Sequence, residues 1–128
     1  MEGAISTPLG EMWLDDGVLY HRIDTFLVQP EAAAQIGEAV RMLTEGRQVP
    51  AVIDIRQVAF AEKDARRMFV QSPEDSLEIA TALIVAPGSS ETMAKVFVNI
   101  DKPARPVAAF TSEAEAVAWA RGFLDPVG

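Results

Sequence analysis

The stretch Glu11-Met12-Trp13-Leu14-Asp15-Asp16-Gly17-Val18-Leu19-Tyr20-His21-Arg22-Ile23 decides how this chain begins to fold. Two apolar runs flank Asp-Gly, a pair that favours a tight hairpin turn because glycine adopts positive φ without steric cost. A two-residue loop pairs Leu14 with Leu19, Trp13 with Tyr20, Met12 with His21 and Glu11 with Arg22. Met12, Leu14, Leu19, His21 and Ile23 then share one face, while Trp13 and Tyr20 share the other beside a Glu11–Arg22 ion pair.

Beyond the hairpin, Pro30 suits the first turn of a helix. Ile36, Val40 and Leu43, with Ala32, Ala33 and Ala39, recur at helical spacing until Gly46 ends the element. Residues 51–55 are mostly β-branched and read as a central strand. Residues 62–71 place Ala65, Met68 and Phe69 on one side of a short amphipathic helix. Ser72-Pro73-Glu74-Asp75 has the cap, N1 proline and acidic first turn of a further short helix reaching about residue 78.

Residues 80–86 are apolar on both faces apart from Thr81, as in a strand covered on both sides. The helix after Ser89 directs Met93, Phe97 and Ile100 inward and ends at Pro103. Residues 106–110 form a last strand, and the nearby prolines put its start near a sheet edge or end. Ser112-Glu113-Ala114-Glu115 is a capping box opening a helix that buries Ala116, Val117, Ala120 and Phe123, with Trp119 at the core or its edge. The order ββαβαβαβα predicts an α/β fold bordering on α+β. Its mixed, mostly parallel five-stranded sheet carries an N-terminal hairpin and four main helices. One domain over residues 1–128 is expected, with residues 1–10 and 125–128 as flexible ends.

Composition removes whole classes of function. Without cysteine there is no disulfide framework, zinc–thiolate site or thiol nucleophile. The net charge of −8, with basic residues scattered apart from Arg66-Arg67, repels phosphates, so nucleic acid is not an expected partner. Residues 79–86, the longest uncharged apolar run, fall far short of the roughly 18–20 residues of a membrane-spanning helix. The opening residues lack the basic and apolar regions of a secretory signal, and the expected location is cytoplasmic.

Few residues carry chemistry. His21, the sole histidine, has no nucleophile at a readable spacing, and no G-x-S-x-G elbow occurs, so neither a hydrolase nor any other enzyme is expected. Pro87-Gly88-Ser89-Ser90 joins a strand to a helix start but lacks the glycines and lysine of a phosphate loop, and capping by Ser89 suffices to explain it. Asp54, a carboxylate inside an apolar strand, needs a cavity, a strand end or a hydrogen-bonding partner. Open α/β sheets bind ligands at the C-terminal ends of their strands, which groups Asp54, Arg56, Ser89 and Thr111 in one crevice. Trp13 and Tyr20 form an aromatic pair that packs beneath a helix or, if open, marks a dimer or ligand surface. No cofactor or metal is expected.

Residues 52–60, Val-Ile-Asp-Ile-Arg-Gln-Val-Ala-Phe, resemble the central strand and loop of STAS domains, the fold of anti-sigma factor antagonists. Residues 97–106, with Phe110-Thr111-Ser112-Glu113 and residues 116–119, resemble small bacterial STAS/SEC14-like proteins. The resemblance implies binding of proteins or apolar ligands and no catalytic residue. Phospho-regulated STAS antagonists carry Asp-Ser-Ser-Gly after this strand, where this chain has Glu62-Lys63-Asp64-Ala65, so Asp64 stands in place of the acceptor serine as a fixed negative charge. Phosphorelay receivers share an early acidic pair, a strand-end aspartate and a late Lys-Pro, imitated here by Asp15-Asp16, Asp54 and Lys102-Pro103. Their element order differs, because here the acidic pair sits in a hairpin turn and Lys-Pro precedes a strand. The expected function is a non-enzymatic regulatory or binding protein that self-associates, acting on a protein partner or a small apolar ligand through Trp13, Tyr20, Asp54, Arg56, Asp64 and Ser89. A receiver-like domain using Asp54 and a lipid or small-molecule carrier are the alternatives.

Overall fold

A computed structural model describes residues 3–70 and 77–124. In chain order its elements begin with β1 (Ile5–Thr7), β2 (Gly10–Asp15), β3 (Val18–Ile23), β4 (Leu27–Val28), α1 (Pro30–Ala33) and α2 (Ile36–Thr44). They continue with β5 (Val49–Asp54), β6 (Phe60–Ala61), α3 (Lys63–Phe69), β7 (Glu78–Ile84), α4 (Ser89–Val96), β8 (Val107–Phe110) and α5 (Glu113–Arg121). A π-helical turn, Phe97–Asp101, extends α4.

The main sheet has six strands in the order β1-β2-β3-β5-β7-β8. β1, β2 and β3 form an antiparallel meander, and β5, β7 and β8 continue it in parallel. The hairpin register is the one its sequence dictates, with Trp13 opposite Tyr20 and Leu14 opposite Leu19. Its two turn residues, Asp16 and Gly17, have φ of 51° and 84°, a conformation whose twist matches that of the strands. β5 is central and β8 lies at the edge, as their compositions predict. Pro50 has no N–H to give the ladder, and the register between β5 and β7 shifts at Val49/Pro50 to absorb the missing donor.

Strand alternation splits the core in two. Met12, Leu19, Ile23, Ala51 and Leu83 face α1–α4 and pack with Ile36, Val40, Ala65, Ala94 and Phe97. Val18, Val52, Ala82 and Ile84 face the other way, under Ala116 and Ala120 of α5. Alanines almost without exposure, Ala51, Ala65, Ala82, Ala94, Ala116 and Ala120, let the helices approach the sheet closely. Ser112 caps α5 as expected, accepting a hydrogen bond from Glu115 N at 3.2 Å.

Four local expectations are corrected. Residues 5–10, read as part of a flexible end, supply strand β1 and the 1 % exposed Leu9, because Ile5–Thr7 pairs along β2. The helix expected from Pro30 to Gly46 is broken at Ala34 and Gln35. Both are exposed there, so no packing holds them regular, and Gln35 N turns back to Ala32 O. Glu45 itself takes a left-handed conformation before Gly46. Ile100, expected inward, is 70 % exposed because the π-turn adds a residue to the helical repeat and rotates it off the buried face. The short helix read at residues 72–78 lies mostly outside the described residues, and its end, Glu78, begins β7. Among the described residues no helix is long and apolar enough to cross a membrane.

Gly10 tests how tightly the meander closes. With φ at +149°, a Cβ here would stand 1.9 Å from Arg22 O, whereas at Gly46, φ +79°, it would meet nothing within 4 Å. Gly10→Ala is expected to cost about 3 kcal/mol or more and Gly46→Ala only about 1 kcal/mol, read from urea denaturation midpoints. Equal losses at the two positions would contradict the close approach.

Candidate functional site

An apolar cavity of ≈ 90 Å³ lies between the sheet and the helical layer. Leu19, Ala51 and Leu83 form its sheet wall, and Met93, Ala94 and Phe97 of α4 and its extension form the opposite one. It follows from the alternation above, since small side chains on β5 and α4 leave the space unfilled.

A few polar side chains border this space. Arg105, 6 % exposed, donates through Nε to Thr81 Oγ1 at 2.7 Å and through Nη1 to Phe69 O at 2.7 Å. Its Nη2 lies 3.8 Å from Glu78 Oε1, and its guanidinium stands 5.9 Å from the Phe97 ring centroid. Arg66 reaches across from α3 to Asp101 Oδ2 at 2.7 Å and to Ala61 O at 2.8 Å. These two arginines fix the cavity's polar end; in the sequence Arg66 stands out only as part of the basic pair Arg66-Arg67, and neither is read as a site residue. The one signal was Thr81, a hydroxyl in an apolar strand that needs a partner.

His21 also lines the cavity, with its Nε2 3.0 Å from Thr7 Oγ1. The Thr7 hydroxyl also lies 2.7 Å from Gly10 O and accepts from Leu9 N and Gly10 N, both at 3.1 Å, which ties the ring to the turn before β2. Burial pushes the His21 pKa down to about 4, against a small upward pull from Asp24, so the ring is neutral at pH 7.

The sheet's other face holds a second concavity of ≈ 230 Å³ beside α5, lined by Trp13, Tyr20, Val52, Asp54, Ile84 and Val117 among others. Trp13 and Tyr20 stack with centroids 5.5 Å apart and planes within 7°. The Arg22 guanidinium lies 5.4 Å from the Trp13 centroid and 4.0 Å from Glu11. Both rings are half-buried, and Tyr20 packs against the cluster that includes Ala116 and Ala120 of α5.

Asp54 ends β5 with both oxygens engaged. Oδ1 accepts from Arg56 N at 3.1 Å and from Nε at 3.0 Å, and Oδ2 accepts from Nη2 at 2.6 Å. Burial would raise its carboxyl, but these hydrogen bonds and the Arg56 charge outweigh burial and hold it below the usual carboxylate range. Arg56 also comes within 3.9 Å of Glu113.

The expected crevice of Asp54, Arg56, Ser89 and Thr111 is only half assembled. Asp54 and Arg56 meet on the α5 face, while Ser89 opens α4, on the opposite face, and both Ser89 and Thr111 are exposed. Ser89 makes no cap. The hydroxyl of the buried Ser90 accepts from Ala86 N at 2.9 Å and donates to Ala86 O at 3.0 Å. Asp64 is exposed in the first turn of α3 and lines neither concavity. Among the described residues no three His, Asp or Glu side chains gather as a metal site.

One surface feature had no sequence signal. Phe26, Leu27 and Phe60 are 76 %, 43 % and 50 % exposed on the small sheet where β4 pairs with β6. Phe26 O accepts from Ala59 N and Phe60 N, which brings the three together.

The buried histidine makes stability pH-dependent in a defined window. Unfolding raises its pKa from about 4 to the model-peptide value of 6.5, so its contribution is full above 6.5 and is lost as pH falls toward 4. Between about pH 7 and pH 5 the protein is expected to lose about 2 kcal/mol that His21→Gln does not lose, read by urea denaturation at each pH. Identical pH profiles for the two proteins would place His21 outside the core.

Comparison with solved structures finds the same fold elsewhere. An uncharacterized protein of the DUF3478 family from Shewanella loihica PV-4, described as having a SpoIIAA-like fold, superposes with a TM-score of 0.55. Its identity is 14 %, over 92 % of this chain and 90 % of that one. At that identity the likeness speaks for the fold alone, and the resemblance to STAS domains holds at that level. No curated protein sequence matches the chain. A family model described as a domain of unknown function, DUF7793, matches residues 12–124, and the chain belongs to that family.

Proposed function

We propose that this chain is a non-enzymatic, STAS-like regulatory protein that binds a small apolar molecule between its sheet and its helical layer. The observation that carries this reading is the ≈ 90 Å³ cavity, walled by aliphatic and aromatic side chains with His21, Thr81 and Arg105 at its polar margin. Apolar walls with a few convergent polar groups are the usual make-up of a small-molecule site. An apolar cavity of about 150 Å³ accepts benzene, so the space here suits a molecule of a few heavy atoms, or a longer one if the pliable Met93 side chain moves aside. His21 supports the reading by staying neutral, so that it adds no charge to the wall.

Methionine-methyl NMR tests this directly. Met12 and Met93 line the cavity, whereas Met42 lies outside it and is 64 % exposed. Titration with xenon or dichloromethane, probes of one to three heavy atoms, is expected to shift the Met12 and Met93 methyls saturably and to leave Met42 still. Ala94→Leu, which fills the space, is expected to abolish those shifts while costing about 1–3 kcal/mol from overpacking. Absence of saturable shifts, together with no released mass in native mass spectrometry of the gently purified chain, would sink the proposal.

Self-association is a second reading, favoured by the exposed trio Phe26, Leu27 and Phe60 on a chain whose net charge of −8 otherwise opposes contact between copies. Sedimentation velocity is expected to show a dimer that Phe60→Ser dissociates. A monomer at all accessible concentrations would rule this out.

A further inference from the structure

The groove beside α5 has a chemistry of its own, distinct from that of the cavity. Its floor is the ring of Tyr20 with Val52 and Ile84, and Val117 of α5 closes one side. Three carboxylates, Asp15, Asp54 and Glu113, and the cation Arg22 also line it. The nearby cations are already engaged. Arg22 lies over Trp13 toward Glu11, and Arg56 is held by both oxygens of Asp54. Among the described residues Glu113 is answered by Arg56 at 3.9 Å and Asp16 by Arg121 at 2.8 Å, the latter a mostly exposed pair. The groove is therefore left with net negative potential over an aromatic floor. The Tyr20 phenol reports this field. Burial raises its pKa first, Asp15, Glu113 and Asp16 raise it further, and Arg121 opposes them.

We propose that this groove binds a small organic cation with an apolar body, its carbon skeleton on Tyr20, Val52 and Ile84 and its charge toward Asp15 and Glu113. An ammonium group gains from both neighbours, since aromatic faces and carboxylates attract cations and the low-dielectric floor strengthens the attraction. The position of Arg22 over Trp13 shows the same preference within the protein itself. The volume of ≈ 230 Å³ lies near the lower end of small-molecule sites and fits a compact ligand. A carboxylate-bearing ligand of the same size would meet Asp15 and Glu113 with like charge. The site lies across the sheet from the apolar cavity, so it stands independently of the function proposed above.

The test uses the full chain, with benzyltrimethylammonium as probe and benzoate and benzyl alcohol as anionic and neutral controls of similar shape. Isothermal titration calorimetry is expected to show saturable binding of the cation alone. Asp15→Asn combined with Glu113→Gln is expected to weaken it by about tenfold or more, and Tyr20→Leu to weaken it further. Both substitution sites for the charge test are exposed, so folding is not at stake. Ala94→Leu, which fills the opposite cavity, is expected to leave cation binding unchanged, so failure of one site is distinguishable from failure of the other. No saturable cation binding, equal binding of benzoate or benzyl alcohol, or undiminished binding by the double variant would each overturn the proposal.

Discussion

Side chains on a strand alternate between its two faces, and in β5, buried between β3 and β7, that parity governs what the whole sheet can do. Ala51 and Ile53 must face α1–α4, and Val52 and Asp54 must face α5. Hydrogen-bond register then carries the same assignment to β3 and β7, so that Leu19 and Leu83 fall on one side and Tyr20 and Ile84 on the other. A one-residue slip would exchange every partner of both helical layers at once.

The two faces are covered unequally. The helices from α1 to α4 cover one, and space remains there where β5 and α4 present alanine. The other has α5 alone, which seals Val18, Val52 and Ala82 but leaves the hairpin's outer aromatic pair beside an open groove. An apolar cavity on the helical side and a carboxylate-lined groove on the other thus arise from one architecture without sharing chemistry. Asp54, whose charge would be costly in the first, belongs to the second, where Arg56 neutralises it and water is near.

Buried polar groups complete the helical side. Arg105 enters from the segment before β8 and donates to Thr81 Oγ1, whose hydroxyl in turn donates to Glu78 Oε1, while the Phe69 carbonyl accepts from Arg105. Glu78, 3.8 Å from the same guanidinium, closes the set, so the buried charge and the buried hydroxyl share their partners. Ser90 plays a comparable local part by closing on the Ala86 backbone, which secures the start of α4 without any anion.

Local chemistry was enough to fix the hairpin, its register, the central and edge strands and the cap of α5, because Asp-Gly turns, β-branched runs, prolines and a Ser-x-x-Glu box act over a few residues. The strand added by Ile5–Thr7, the break at Ala34-Gln35 and the outward turn of Ile100 depend on what lies across the sheet or along the neighbouring helix, and no short window contains that. The same holds for the sites. Asp54 stood out in sequence as a charge in an apolar strand, and Trp13 and Tyr20 as a cross-strand pair. Only the packed structure decided that Ser89 and Asp64 stand apart from them and that Arg105 borders a cavity. The hairpin that opened the reading places its aromatic pair by parity alone. That the pair is left half open was decided by tertiary packing, because a single helix cannot span one face of a six-stranded sheet.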